Sequence, residues 1–388
     1  MTTRTRSAFY SRVPVLVVIT LFLGGGAGGL TFAVPASATT FAVTNCNDAG
    51  PGSLRDAITQ AGAGNTVSVD PASSCSTITL TSAPIDLETN VQIVGPGASR
   101  LSVSGGLLDD VFVIGSGATV SVAGLTIDAT ARANNTGAIL DKGGVLSISN
   151  STIFFSGADP TGVVNDGGRV TIANTKFTGT GGSFSYLAIG NSGTMSVSNS
   201  VISNLGGLHG TPVENGGDLR LSNTVITHCG NGRGSPGAID NGGSMQIVNS
   251  SITDTGSGTD FSAIFNGGTM AIVNSTIDDN SGALGPGGAF LNAGVLTISG
   301  SEVDGNQVAT SGGGIFNTST GTVIIHHSEM SANSATSGGA VFNDGTVIVD
   351  QSVFSANVDT SLDIFPGIDN DPSATPPGTV TVTKSSFS

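Results

Sequence analysis

The chain has no tryptophan, two tyrosines and 10% charged residues in a length of 388. Few large anchors are therefore available for a core of packed helices, and no long stretch carries a 3.6-residue apolar period. Cations are especially scarce. Twelve Lys and Arg face 27 Asp and Glu, for a net charge of −15. That balance disfavours nucleic acid and anionic membranes as partners. The three cysteines show no metal-ligand spacing. A Gly-rich phosphate loop, a nucleophile elbow and a calcium-binding nonapeptide repeat are all missing. No Lys or Arg falls within 234–383.

What the chain has is glycine, 59 of them, and a repeat. The pattern apolar-x-apolar-x-Asn-Ser-x-apolar returns about every 25 residues, as in Leu146 to Ile153 and Val170 to Phe177. Its Asn column runs Asn150, Asn174, Asn199, Asn223, Asn249 and Asn274. Gly300, His327, Gln351 and Lys384 continue it. A second column holds Asp141, Asn165, Asn191, Asn215, Asn241, Asn266, Asn292, Asn317 and Asn343, with an aliphatic residue or Phe two positions earlier. Each copy thus contains short alternating runs bounded by Asn and Gly, which is strand–turn–strand punctuation.

A fixed period of this length means stacked units that cannot bury their apolar faces alone. The expected fold is all-β: a parallel β-helix of about 25 residues per coil, with like residues stacked at roughly 4.8 Å. Asn tolerates positive φ and suits the turns. The first Asn column is expected to point inward as an amide ladder, with His327 as a substitute rung.

The ends differ from the repeat. Residues 1–38 read as a secretory signal: Arg4, Arg6 and Arg12, an apolar run from Val13 to Leu23, and Ala36-Ser37-Ala38 as a cleavage site. Cleavage would take the net charge from −15 to −18. The expected location is secreted or at the cell surface, and a membrane would be met only through an uncleaved signal. Residues 39–97 form the expected N-terminal cap and first strands, and 98–388 the coils, with a loop insertion at 358–378. Ser53 and Asp56 have capping-box spacing for a short helix in which Leu54, Ala57 and Ile58 share a face. Cys46 and Cys75 flank that helix, as either a disulfide or two buried thiols. Cys229 is left over.

The stretch Ser53-Leu54-Arg55-Asp56-Ala57-Ile58, with Val91 to Gly97 after it, resembles the N-terminal motif of secreted bacterial right-handed β-helix proteins. In that family a SLREAI-like helix precedes the first coils. Gly338-Gly339-Ala340-Val341 and Phe354-Ser355-Ala356-Asn357 resemble the repeats of polymorphic outer-membrane proteins, although no β-barrel segment follows them. The resemblance implies a right-handed solenoid; periodicity alone does not set the hand.

Two outward faces are candidate sites. Asp278, Glu302, Asp304 and Glu329 are expected to form one acidic patch over three coils. Stacked carboxylates could exchange protons on a glycan or hold Ca²⁺; the simpler reading is a solvated acidic face. Phe265, Leu291, Phe316 and Phe342 form an apolar column over four coils, either covered by loops or open as a binding surface for sugars or a protein partner. The same column continues back through Asp240 and Glu214, where the stripe stops. Asp363, Asp369 and Asp371 in the insertion are weaker candidates for a cation. Ca²⁺ is the one cofactor that these acidic residues suggest.

No complete catalytic set is present. Asp278-Asp279 and His209-Gly210 are only fragments of a galacturonase signature. A calcium-dependent lyase needs a basic residue near its acidic cluster, and 234–383 has none. The reading is a secreted, non-catalytic, adhesive or structural β-helix that presents a rigid surface to a glycan or protein. The alternative is a glycoside hydrolase or polysaccharide lyase acting on an extracellular glycan.

Overall fold

The structure, a computed structural model, describes residues 38–71, 75–106, 110–130, 137–156, 159–180, 186–206, 210–230, 236–257, 262–360, 367–371 and 377–388. The signal-like segment therefore lies outside the described residues, apart from Ala38, as do His209 and Asp363.

Residues 38–388 form a parallel β-helix. A representative coil consists of Val341–Asn343, Thr346–Asp350, Val353–Ser355 and Val358–Asp359. Thr346–Asp350 belongs to a first sheet of 14 strands, Val341–Asn343 to a second of 12 and Val353–Ser355 to a third of 13. Val358–Asp359 belongs to a fourth sheet of five short strands. Equivalent residues pair in parallel register from coil to coil, as in Ile272 with Ile298 and Ile298 with Ile325.

Alternation determines which side chains enter the core. In Thr346–Asp350, Val347 and Val349 are fully buried while Ile348 faces out. Each buried aliphatic contributes roughly 1.5–3 kcal/mol. Stacking makes the contribution available at every coil.

The two Asn columns do different work. Asn150, Asn174, Asn199, Asn223, Asn249 and Asn274 all have φ of 49 or 50°. They are the turn residues between the first and third sheets, and their side chains are exposed. The inward amide ladder expected of them is not there. The left-handed corner turns the Asn outward and sends the following Ser or Thr inward. Ser250 Oγ accepts from the Thr224 amide at 3.1 Å and donates to the Val248 carbonyl at 2.8 Å. Ser275, Ser301 and Ser328 repeat this hydroxyl ladder. His327 follows the turn column: it is exposed, with φ of 47° and Nε2 3.1 Å from Gln351 Oε1.

The amide ladder is the second column. Asn165 Nδ2 donates to Asn191 Oδ1 at 2.7 Å, and the relay continues through Asn215, Asn241, Asn266, Asn292, Asn317 and Asn343 to Asn370 at 2.7–2.8 Å. A third ladder, which the sequence reading missed, links Asn280, Asn306, Asn333 and Asn357 at 3.0 Å per step. Buried polar groups are thereby paired along the axis.

The first coil is covered by the helix Leu54–Ala61, whose Leu54, Ala57 and Ala61 are buried. Ser53 caps the helix by accepting from the Asp56 amide, while Asp56 accepts from the amide of Gly52, one residue before the cap, and the Ser53 amide donates to the Gly50 carbonyl. Arg55 ties the helix to Pro84 and to Asp48. Burial opposes ionisation of Asp48, but hydrogen bonds from Ser82, Arg55 and Thr81 hold its carboxyl well below the usual range. Cys46 and Cys75 are joined with a Cα separation of 6.2 Å. Cys229 is buried, and burial pushes its thiol up to about 12.

Ile264 is fully buried, whereas Thr276 sits on an outward face. Ile264→Asn is expected to cost about 3 kcal/mol or more and Thr276→Asn less than about 0.5 kcal/mol. Denaturant titration of the two variants checks this; equal midpoints would refute the register.

Candidate functional site

The acidic patch of the third sheet has the expected layout. Glu302 pairs in register with Glu329 and Asp278 with Asp304, while Ile277, Val303 and Met330 point inward. Glu302 and Glu329 are exposed. Burial, and then the charges of Asp279 and Asp304, raise the carboxyl of Asp278. Ser331 donates to Asp304 at 2.9 Å, so one of the four carboxylates is already engaged locally. In the insertion, Asp369 and Asp371 lie close enough to Asp344 for their charges to raise its carboxyl, after the larger effect of burial. Among the described residues, no group of three or more His, Cys, Asp and Glu is arranged to hold a metal ion.

The apolar column lies on the outer face of the second sheet. Phe265, Leu291, Phe316 and Phe342 pair in register across four coils. Leu291 is only 9% exposed, while the three Phe are partly exposed. The Phe316 and Phe342 rings stack with centroids 5.1 Å apart and planes 12° apart. Rings stacked along the axis spend their faces on one another and turn their edges outward. At that pair the column is therefore an apolar ridge of ring edges rather than open ring faces for sugars.

Continuing toward the N-terminus, this column descends into a groove. Its outward positions run Leu140, Val164, Gly190, Glu214, Asp240 and then Phe265. Leu140, Val164 and Leu187 form an apolar side, and Glu214 with Asp240 the other. Gly190 supplies the notch between them. A Cβ there would approach Leu187 Cδ2 at 3.2 Å and Val164 Cγ2 at 3.7 Å, so any larger side chain would fill the groove. Glu214 and Asp240 are in register on adjacent strands, about 4.8 Å apart at the backbone. Burial raises both carboxyls above the ordinary range, and the Asp240 charge raises Glu214 further. Two like charges one coil apart favour sharing a proton. The sequence reading registered Glu214 and Asp240 only as the end of the apolar stripe. The signal that singles them out is their place: two adjacent acids and a glycine interrupt a column that is apolar from Val113 to Val164 and from Phe265 to Phe342, with single acids, Asp86 and Asp369, at its two ends.

A wider groove runs along the exposed turns, past Asn150, Asn174, Asn199, Lys176 and His228. It gathers amides and one lysine, without a pair of stacked carboxyls.

Residues 163–329 match the family model for the right-handed β-helix region. That segment contains the Gly190 groove apart from Leu140, and most of the Phe row. The hand that the family description gives is the one the resemblance implies. No curated protein matches the sequence. Among solved structures, the chain is similar to the catalytic domain of a GH87 alpha-1,3-glucanase variant in complex with tetrasaccharides. The TM-score is 0.55 at 12% identity, over 92% of this chain and 70% of that one. It is also similar to ORF18 of Geobacillus virus E2, with a TM-score of 0.36 at 12% identity over 90% of this chain and 61% of that one. Tailspike protein 3 of bacteriophage CBA120 aligns with a TM-score of 0.34 at 12% identity, over 86% of this chain and 58% of that one. At 12% identity the likeness to the glucanase domain shows a shared fold alone.

Removing the Asp240 charge by Asp240→Asn is expected to lower the Glu214 pKa, while burial keeps it above the ordinary carboxyl value. Carbon-13 NMR titration of the Glu214 carboxyl in both proteins measures it. An unchanged Glu214 would show that the two acids do not interact.

Proposed function

We propose that the protein acts outside the cell, after loss of its N-terminal segment, and binds an extended glycan along the outer face of the second sheet. The observation that carries this reading is the groove at Gly190. It is an open trough at one end of a straight apolar ridge, with two hydrogen-bonding acids between them. An extended polymer with apolar ring faces and hydroxyl edges suits that order of surfaces. The stacked coils hold the surface rigid, so little ordering cost accompanies binding. The glucanase bound to tetrasaccharides shares this fold, which makes a carbohydrate ligand a reasonable one to test.

Hydrolysis is the second reading, favoured by Glu214 and Asp240 specifically. Their backbones lie one strand spacing apart, about 4.8 Å, which lets the two carboxyls reach the roughly 5 Å of retaining glycosidases. Glu214, raised by burial and by its neighbour, would hold the proton for the leaving oxygen. Asp240 would be the ionised partner.

Gly190→Leu is expected to weaken glycan binding at least about tenfold, or 1.4 kcal/mol, and to shift stability by under about 0.5 kcal/mol. Calorimetry with the polymer that binds wild type, selected from a panel of neutral and acidic polysaccharides, makes the comparison. Undiminished affinity in the variant would remove the groove from the proposal.

Chain-length analysis of the same polymers, with and without Ca²⁺, tests hydrolysis. If wild type shortens a chain, Glu214→Gln and Asp240→Asn should each slow it about 10²-fold or more while binding persists. Cleavage unaffected by either change would send attention to Asp278, Glu302, Asp304 and Glu329.

A further inference from the structure

The amide ladder of the second sheet begins on an acid. Asp141 pairs in register with Asn165, and its side chain is fully buried. The two residues hold their turns in the same way. Asn165 Oδ1 accepts from the Gly168 amide at 2.8 Å, and Asp141 Oδ1 accepts from the Gly144 amide at 2.7 Å. This superposes one oxygen of the acid on the oxygen of the amide and leaves Asp141 Oδ2 where an Asn would carry Nδ2.

That position calls for a donor. Asn165 Nδ2 faces three acceptors: the Gly168 carbonyl at 3.1 Å, Asn191 Oδ1 at 2.7 Å and the Thr194 carbonyl at 3.4 Å. One coil earlier, the equivalent atoms are the Gly144 carbonyl, Asn165 Oδ1 and the Arg169 carbonyl. Asp141 Oδ2 is buried and makes no hydrogen bond with the donors present. It packs over Gly168, where a Cβ would come within 2.1 Å of it. An ionised carboxylate here would press an unpaired negative oxygen against other oxygens. Asn343 Oδ1 accepts from both the Gly345 amide and Asn317 Nδ2, so a rung oxygen has room for two donors.

We infer that Asp141 is a neutral carboxylic acid in the folded protein and that its Oδ2–H donates to Asn165 Oδ1, making it the first rung of the ladder. Charged groups on the surrounding elements are Lys142 on its own turn, Asp166 and Arg169 on the following coil, and Glu88, two coils earlier, whose carboxylate lies beside Gly115 of the preceding coil. All four side chains are exposed and remain in solvent. Burial raises the Asp141 carboxyl, opposed by the Gly144 hydrogen bond. The proton is therefore a built-in pH sensor in the coil that carries Leu140, a wall of the groove.

A raised folded-state pKa gives stability that is complete below the unfolded value of about 3.9 and is lost as pH rises through the folded value. Asp141→Asn supplies a permanent donor of nearly the same shape. In the full chain, the melting temperatures of wild type and Asp141→Asn should agree at low pH. The variant should become the more stable as pH rises, and the gap should level off above the folded pKa. Infrared difference spectroscopy gives an independent reading. The protonated-carboxyl absorption that persists in folded wild type above the ordinary carboxyl range should lose one carboxyl's share in the variant, the remainder coming from other raised acids such as Glu214. A variant less stable than wild type across the range, or one whose advantage shrinks as pH rises, would overturn the inference. So would identical carboxyl bands in the two proteins.

Discussion

Coil spacing is the constraint on which the rest of this molecule depends. Residues one repeat apart are placed about 4.8 Å from one another whatever their chemistry. A column of aliphatics then becomes a continuous core. Polar residues in an inward column must find donors and acceptors directly above and below. The second and third Asn columns meet that demand with Nδ2-to-Oδ1 relays, and the Ser and Thr column meets it with hydroxyls that accept from one coil and donate within their own. Each solution works because one residue type recurs in every coil. The same rule exposes Asp141, the one member of the second column that brings an oxygen where its successors bring an N–H.

The period, the inward aliphatics and the outward direction of the acidic and apolar columns are legible in the sequence because each follows from alternation alone. Ile277 and Val303 lie inside and Glu302 outside, as alternation requires. Composition could not decide which Asn column was buried. Both are Asn-rich at nearly the same spacing. Their difference lies in one dihedral: φ near 50° at Asn199 or Asn249 swings the amide out and directs Ser200 or Ser250 inward. The recurring Ser or Thr after the turn Asn was the available clue. The third ladder was harder to see because it spans only four Asn, Asn280 to Asn357, and Thr255 takes the preceding position as a hydroxyl.

Stacking also governs what an outer face can offer a ligand. A column of aromatic rings one coil apart satisfies itself, as Phe316 and Phe342 do. Binding potential therefore lies where a column is interrupted rather than where it is most regular. At Gly190 the side chain is missing, so the neighbours become walls. Glu214 and Asp240 then add two hydrogen-bonding groups whose proximity and partial burial favour retaining a proton. Sequence alone could count these residues but not weigh them. A short apolar column ending in two acids looks like a boundary until Leu187, from the neighbouring outward position, closes the trough.

Regularity and function are thus opposed along this solenoid. Stability needs each coil to repeat the last, because every ladder bond and every buried methyl group is shared with a neighbour. A site needs a place where the repeat fails without breaking the stack. Outward positions of the second sheet permit such failures cheaply: exchanging Gly, Glu, Asp or Phe there leaves the Ile189, Val213, Ile239 and Ile264 core beneath them unchanged. Inward positions do not, and a substitution such as the acid at Asp141 has to bring its own proton to fit. Variation confined to one outward column over an invariant interior is how a structure of near-identical coils can carry a distinct surface at one point along its axis.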